Sequence, residues 1–155
     1  MAPTKNMDRT EWLAEKATEI GFDELTFLST RYSERKVIKT ERIEKILVSA
    51  IKQSLKPNKP VLNEMTDFGK FITQDFKGQK FICHCHEGDK KLLKEAIVPG
   101  QDALILIGPE GDFSREEAEL ALARGFIPVH LGASRLRTET AALAATAAVY
   151  FATDR

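Results

Sequence analysis

The chain is poor in the residues that mark a secreted, metal-bound or membrane-spanning protein. Its 155 residues include two cysteines, three histidines, three methionines and one tryptophan. Two cysteines cannot build a disulfide framework, and both lie in one short apolar run, at Cys83 and Cys85. A bridge between near neighbours on one strand is strained, so both thiols are expected to be reduced. No apolar run approaches the roughly 20 residues of a membrane helix, and Met1–Asp8 lacks an apolar signal-peptide core. No membrane partner and a cytoplasmic location are therefore expected. An excess of one charge is missing too, because 23 Lys and Arg balance 23 Asp and Glu. A protein that grips nucleic acid unaided is usually strongly basic. Any such partner has to be held by a local patch, a second subunit or another domain.

What is present suits one globular domain over residues 1–155: 43% of residues are hydrophobic and 30% charged, and the length is ample for a core. Met1–Asn6 reads as a flexible lead-in. Asp8 and Glu11 make a start of the capping-box kind for a first helix, on which Trp12, Leu13, Ala17 and Ile20 recur at helical spacing before Gly21. Glu24–Ser29 reads as a strand, Arg31–Lys39 as a cation-dense loop, and Thr40–Ser54 as an amphipathic helix with a stripe at Ile43, Ile46, Leu47, Ala50 and Ile51. Short strands are expected at Val61–Met65, Lys80–Cys85, Ala103–Ile107 and Ile127–Leu131, with helical segments over Thr66–Thr73 and around Lys90–Ala96. Ser114 and Glu117 form an S-x-x-E capping box for a helix ending near Gly125. An alanine-rich helix, Ala141–Ala152, is capped by Thr138 or Thr140. Strands alternating with helices predict an α/β fold with a mainly parallel sheet and helices on both faces.

Two stretches concentrate the chemistry. Ala103–Ile107 and Ile127–Leu131 each run into a glycine and a loop that feeds a helix. Ligands of open α/β sheets gather at such carboxyl ends, where helix N-termini offer free N–H groups. The first loop, G-P-E-G-D at Gly108–Asp112, has neither dinucleotide-binding nor P-loop spacing; it is either a sharp turn or a ligand site in which Glu110 accepts from a ligand or ties down its neighbour. The second, L-G-A-S-R-L-R-T-E-T-A at Leu131–Ala141, crowds Arg135, Arg137 and Glu139 among Ser134, Thr138 and Thr140. Its arginines can meet phosphate or carboxylate, or clasp Glu139 to shape the loop. C-H-C-H at Cys83–His86 invites a zinc reading, but strand alternation splits cysteines from histidines, so no metal is expected. Neither a Ser/His/Asp order nor H-E-x-x-H occurs. The alanine stripe at Ala141, Ala142, Ala144, Ala145, Ala147 and Ala148 either packs on the sheet or serves a two-fold interface.

L-I-G-P-E-G-x-F-S-x-x-E followed by L-G-x-x-R-L-R-T-E-T-A resembles the SPOUT-class methyltransferases that modify N3 of a uridine in small-subunit ribosomal RNA. Upstream, E-K-A-T-E-I-G at Glu15–Gly21, A-x-x-Q-S at Ala50–Ser54 and F-I-C-H at Phe81–His84 add to the likeness, which covers the chain from Lys5 onward. The resemblance implies a C-terminal deep trefoil knot, an exception to the rule against knots, and S-adenosyl-L-methionine as cofactor. It implies that His84, Leu106, Ile107, Gly108, Pro109, Glu110, Gly111, Leu131, Gly132, Ser134, Leu136, Arg137, Thr138 and Thr140 wrap the cofactor. Catalytic roles fall to Arg137 first and Arg135 second, with Glu139 orienting an arginine or taking a proton. It further implies a homodimer with the pocket completed at the subunit interface, and 16S rRNA in the 30S subunit as substrate. A tRNA 2′-hydroxyl target or a non-catalytic binding module are the alternatives. Asp112 stands where the family commonly has glycine, so a left-handed backbone there must tolerate a side chain. Lys56 stands where an RNA-contacting arginine is expected. The N-terminal PUA-like RNA-binding domain usual in these enzymes has no counterpart here, in keeping with the neutral net charge.

Overall fold

A computed structural model describes residues 1–153; the domain expected over 1–155 runs two residues past them. The elements follow as α1 (Met7–Ile20), β1 (Glu24–Leu25), β2 (Leu28–Ser29), α2 (Thr40–Ser54), β3 (Val61–Leu62), β4 (Thr66–Asp67) and α3 (Phe68–Phe71). Then come β5 (Gln79–Cys83), β6 (Lys91–Leu92), α4 (Leu93–Ala96), β7 (Ala103–Ile107), α5 (Arg115–Ala123), β8 (Ile127–His130) and α6 (Thr138–Ala152). Four strands make a sheet in the order β6-β8-β5-β7, with every pairing parallel. Two further parallel pairs, β1 with β3 and β2 with β4, lie beyond it.

The N-terminal residues join these pieces. Ala2 N–H donates to Ile107 O, Leu28 N–H donates to Met1 O, and the Met1 amine donates to Thr26 O. Ala2 and Thr4 are fully buried, and burial pushes the Met1 amine down to about 5. Met1–Asn6 is therefore no flexible lead-in: its apolar and hydroxyl groups fill a seam between β7 and β2. Thr4 and Thr10 hydroxyls bond each other there at 2.6 Å.

Alternation along the central strands sends neighbours to opposite faces. Phe81 and Ile107 pack with Leu13, Ala17, Ile43, Leu47, Ala142 and Ala145 from α1, α2 and α6. Ile82 and Leu106 pack with Phe68, Phe113 and Ala121 from the α3 and α5 side. Helices thus cover both faces, as a parallel sheet requires. Burying Phe27, Phe81 and Phe113 completely stabilises the fold by about 1.5–3 kcal/mol each.

Local signals set most helix ends. Asn6, not Asp8, caps α1: its side chain accepts from Asp8 N–H at 3.0 Å, because the helix begins two residues sooner. Gly21 closes α1 at φ 127°, where a side chain would be strained. The α5 capping box forms in both directions, with Ser114 N–H to Glu117 Oε1 at 2.8 Å and Glu117 N–H to Ser114 Oγ at 3.1 Å. Neither threonine caps α6. The cap is Arg137, and Thr138 turns its hydroxyl across the molecule instead. Lys56 is half-buried, and its Nζ donates to Ile20 O and lies 5.7 Å from the centre of the Tyr150 ring. It ties the end of α1 to α6. Ala142 and Ala145 of the alanine stripe are buried against α1 and the sheet. Among the described residues no helix is long and apolar enough to cross a membrane.

Candidate active site

The register brings three strand ends level. Cys83 stands opposite Ile107 on one side and opposite Val129 on the other. The segments that follow β5, β7 and β8 therefore leave the same edge of the sheet, where α/β proteins bind ligands. Thr138 Oγ1 donates to Gly108 O at 3.0 Å, and the hydroxyl is buried. That bond fastens the loop after β8 to the loop after β7.

The loop Gly108–Asp112 is held from several directions. Glu110 Oε2 accepts from Lys5 N–H at 2.9 Å, which fastens the loop to the N-terminal segment. Asp112 takes a left-handed backbone at φ 67°, which Asp tolerates better than most residues. Its two oxygens accept from Cys85 N–H at 2.9 Å and Phe113 N–H at 2.7 Å. The side chain that glycine would lack thus bolts this loop to the end of β5. At Gly108 an added Cβ would lie 3.1 Å from Phe113, and at Gly111 one would lie 3.1 Å from Tyr32; a side chain at either turn would push its neighbour by a few tenths of an ångström. Leu106, Ile107, Gly108 and Pro109 are buried, whereas Glu110 and Gly111 are exposed.

The second loop is built differently. Gly132, Ser134, Arg135, Leu136, Arg137 and Thr140 are exposed, Leu131 is half-buried, and Thr138 and Glu139 are buried. Gly132 N–H donates to His130 Nδ1 at 3.2 Å. No N–H from Ala133 to Leu136 meets a protein acceptor among the described residues. Gly132 has φ 134°, and the space where a Cβ would stand is open.

Glu139 does not clasp Arg135 or Arg137. Its carboxylate pairs with Arg9 Nη1 of α1 at 3.2 Å, with the Glu139 side chain 10% exposed. Arg9 is the residue that sequence reasoning missed; it lies 130 positions from its partner, and no local pattern connects them. Tyr32 over Gly111 was missed for the same reason.

At the end of β5, His84 is 9% exposed. Its Nδ1 accepts from His86 N–H at 3.1 Å, which leaves the proton of the neutral ring on Nε2. Burial, and then Lys90, lower its pKa. Burial pushes the Cys83 thiol up to about 12, so it is no nucleophile. Both thiols are free; β5 ends at Cys83, and Cys85 beyond it is exposed. No cluster of three or more metal-binding side chains occurs among the described residues.

Residues 1–150 match the family model described as RNA methyltransferase domain. The chain belongs to that family. Its relatives include the ribosomal RNA small subunit methyltransferase E of Rickettsia conorii, 28% identical over 138 residues that cover 86% of this chain and 55% of that protein. The protein of the same name from Synechocystis is 30% identical, with 90% and 48% covered. Among solved structures, a probable rRNA-methyltransferase from Porphyromonas gingivalis superimposes with TM-score 0.89 at 47% identity, covering 94% of this chain and 63% of that one. The Neisseria gonorrhoeae ribosomal RNA small subunit methyltransferase E, bound to S-adenosyl methionine, gives 0.81 at 28% identity, with 95% and 62% covered. The chain thus spans about half to two-thirds of the length of these family members.

Proposed function

We propose that this chain is the catalytic domain of an S-adenosylmethionine-dependent methyltransferase acting on uracil N3 of 16S ribosomal RNA in the small subunit. The observation that carries the reading is the Thr138–Gly108 bond, which closes two loops over one another at the carboxyl edge of a parallel sheet. Small-subunit methyltransferase relatives, and a neighbouring structure holding the cofactor, support the assignment.

The residues present fit that cofactor. The unengaged N–H groups from Ala133 to Leu136 and the open space at Gly132 offer donors and room, and Gly108–Gly111 forms the opposite wall. His84 presents a neutral ring near this edge. When bound, S-adenosylmethionine supplies a methyl group already activated on a sulfonium, which leaves position and charge to the protein.

Uracil N3 carries a proton at neutral pH, and its loss leaves an anion that a cation must stabilise. Arg137, exposed beside the start of α6, takes that role, and Arg135 supports it. Glu139 is buried against Arg9; it positions the first turn of α6 and does not take the proton. The segment from β8 through α6 threads the preceding loops as a trefoil knot. The described residues form one SPOUT domain, and the additional length of its relatives carries the PUA-like RNA-binding part. Two copies assemble with each pocket completed at their interface.

Titration calorimetry with S-adenosylmethionine, followed by mass spectrometry of nucleosides from treated 30S subunits, tests this reading. Cofactor binding and 3-methyluridine are the expected results. No binding at high micromolar cofactor overturns it, and 2′-O-methylated product would move the chain to another RNA target.

A further inference from the structure

The proposed chemistry leaves the cation-dense stretch after β2 unused. Five cations and two carboxylates fall within Arg31–Arg42, in a chain whose net charge is zero. The stretch opens on a turn that is fixed at its base and bare at its tip. Thr30 and Ser33 are buried, and their hydroxyls bond each other at 2.7 Å. Ser33 Oγ also accepts from Thr30 N–H at 3.2 Å, and Thr30 O accepts from Ser33 N–H at 3.2 Å and from Lys36 Nζ at 3.0 Å. At the tip, Tyr32 is 49% exposed. A lone exposed aromatic means little by itself; this one is held on a fixed turn beside the candidate site. A Cβ added at Gly111 would meet Tyr32 Cβ at 3.1 Å, so the turn abuts the exposed corner of the Gly108–Asp112 loop. The Arg31 guanidinium lies 5.8 Å from the centre of the Tyr32 ring, a weak contact at an exposed site that an incoming base can displace or share.

The same stretch runs on into a pocket of about 470 Å³ that it forms with α1 and α2. Arg35, Lys39 and Arg42 line it beside one carboxylate, Glu11. Glu11 pairs with Arg42, and Glu34 pairs with Lys5, which leaves Arg35 and Lys39 without a carboxylate partner among the described residues. Arg35 donates from Nε and Nη2 to the neutral carbonyl of Lys5, and Lys5 N–H in turn holds Glu110. Pocket and loop are therefore tied to one backbone segment. Three residues separate Arg35 from Tyr32, at most about 10 Å of chain.

We propose that Tyr32 is a stacking platform for one unpaired base of the substrate RNA, and that Arg35 and Lys39 take the phosphates beside that base. The inference rests on the reading that the substrate is RNA, and it names how a single strand is gripped. An exposed ring stacks any unpaired base, whereas a duplex keeps its bases covered. Cations without carboxylate partners hold phosphates whatever the sequence. The backbone of the turn is already ordered by Thr30 and Ser33, so little entropy is lost when a base settles on it. An acidic peptide would satisfy the cations but offers the ring no flat partner.

The test is binding of the chain, at about 50 mM salt, to an eight-nucleotide oligouridylate with one central 2-aminopurine, whose fluorescence falls on stacking. The parent chain should quench the probe. Tyr32→Leu should lose the quench and weaken binding by about fivefold or more, with Tyr32→Phe within about twofold of the parent. Lys39→Gln should weaken binding, keep the quench at saturation and reduce the slope of log affinity against log salt by about 0.7. An RNA duplex of the same length should bind the parent and Tyr32→Leu equally. No quench by the parent, equal affinities of Tyr32→Leu and Tyr32→Phe for the probe, or competition by octaglutamate as strong as by unlabelled oligouridylate would each overturn the proposal. Cofactor calorimetry on the parent stands apart from these readouts. A chain that binds S-adenosylmethionine without quenching the probe keeps the functional reading and loses this one, and a chain that quenches the probe without binding cofactor does the reverse.

Discussion

The two loops at the carboxyl edge of the sheet differ in how they are held. Gly108–Asp112 is fastened through Glu110 to Lys5, through Asp112 to Cys85 and Phe113, and through Gly108 to Thr138. Gly132–Arg137 is exposed and keeps most of its backbone donors unengaged. One wall of the site is therefore set before any ligand arrives. The other has donors and cations to offer, and ordering it must be offset by binding, at about 1–2 kcal/mol of backbone entropy per residue fixed. On the proposed function, a site that holds a cofactor and then admits a large RNA would gain from that division: a fixed wall gives position, and an open one gives access.

The largest effect should come from the open wall. Arg137→Ala is expected to lower methyl transfer by about 10²–10³-fold, the usual cost of removing one group aimed at developing charge. Because Arg137 is exposed and makes no side-chain bond within the described chain, Tm should stay within a degree or two. Near-normal turnover, measured with the RNA-binding portion present, would take the arginine out of the chemistry. Arg135→Ala should fall less far.

The fixed wall should respond in the opposite way, through stability first. Asp112→Ala removes two hydrogen bonds to a carboxylate and leaves a β-carbon at φ 67°, a loss of about 2–3 kcal/mol in urea unfolding. Asp112→Gly loses the same bonds but relieves the backbone, so it should retain about 1 kcal/mol more. If the two variants are equally stable, the left-handed backbone is not the source of the difference.

How much of this was legible in the sequence depends on the range of each interaction. Ser114 and Glu117 announced α5, and Ala103–Ile107 matched its strand residue for residue, because capping and apolar runs are local. The left-handed turn at Asp112 was also foreseeable, but the bolt to Cys85 was not, since it joins two strands' ends in space. The same holds for Arg9 and Glu139, where a crowded loop suggested an internal clasp and the fold supplied an arginine from α1. Met1–Asn6 reads as a flexible lead-in by composition, yet the seam between β7 and β2 buries its first four residues. Lys56 invites comparison with an arginine of the family, while its bond to Ile20 O serves a helix end that lacks donors.

The link between the walls should show a smaller effect than either. Thr138→Val keeps the shape and deletes the buried bond to Gly108 O, which costs about 1 kcal/mol of stability. Its consequence for the cofactor should exceed that for the fold, because the bond sets the spacing of the two loops. Calorimetry showing unchanged affinity would mean the loops hold their spacing by other contacts.

The mildest probe is pH, read through His84 beside the fixed wall. His84 is held neutral, first by burial and then by Lys90, whose Nζ donates to His84 O and His86 O; Asp112 opposes the shift. In the unfolded chain the ring takes up its proton near 6.5, whereas in the folded chain it does so only at lower pH. Between those two points the unfolded state binds more protons, so stability rises with pH. The contribution is fully present above the unfolded value and is lost as pH falls through the folded one. Protonation also takes the lone pair on Nδ1 that accepts from His86 N–H, so acid should loosen the turn after β5 while leaving the exposed arginine loop as it was. Thermal melts between neutral pH and pH 5 should therefore slope less steeply for His84→Gln than for the parent chain. Identical slopes would place the acid sensitivity elsewhere, with the buried Met1 amine the next group to test by acetylation.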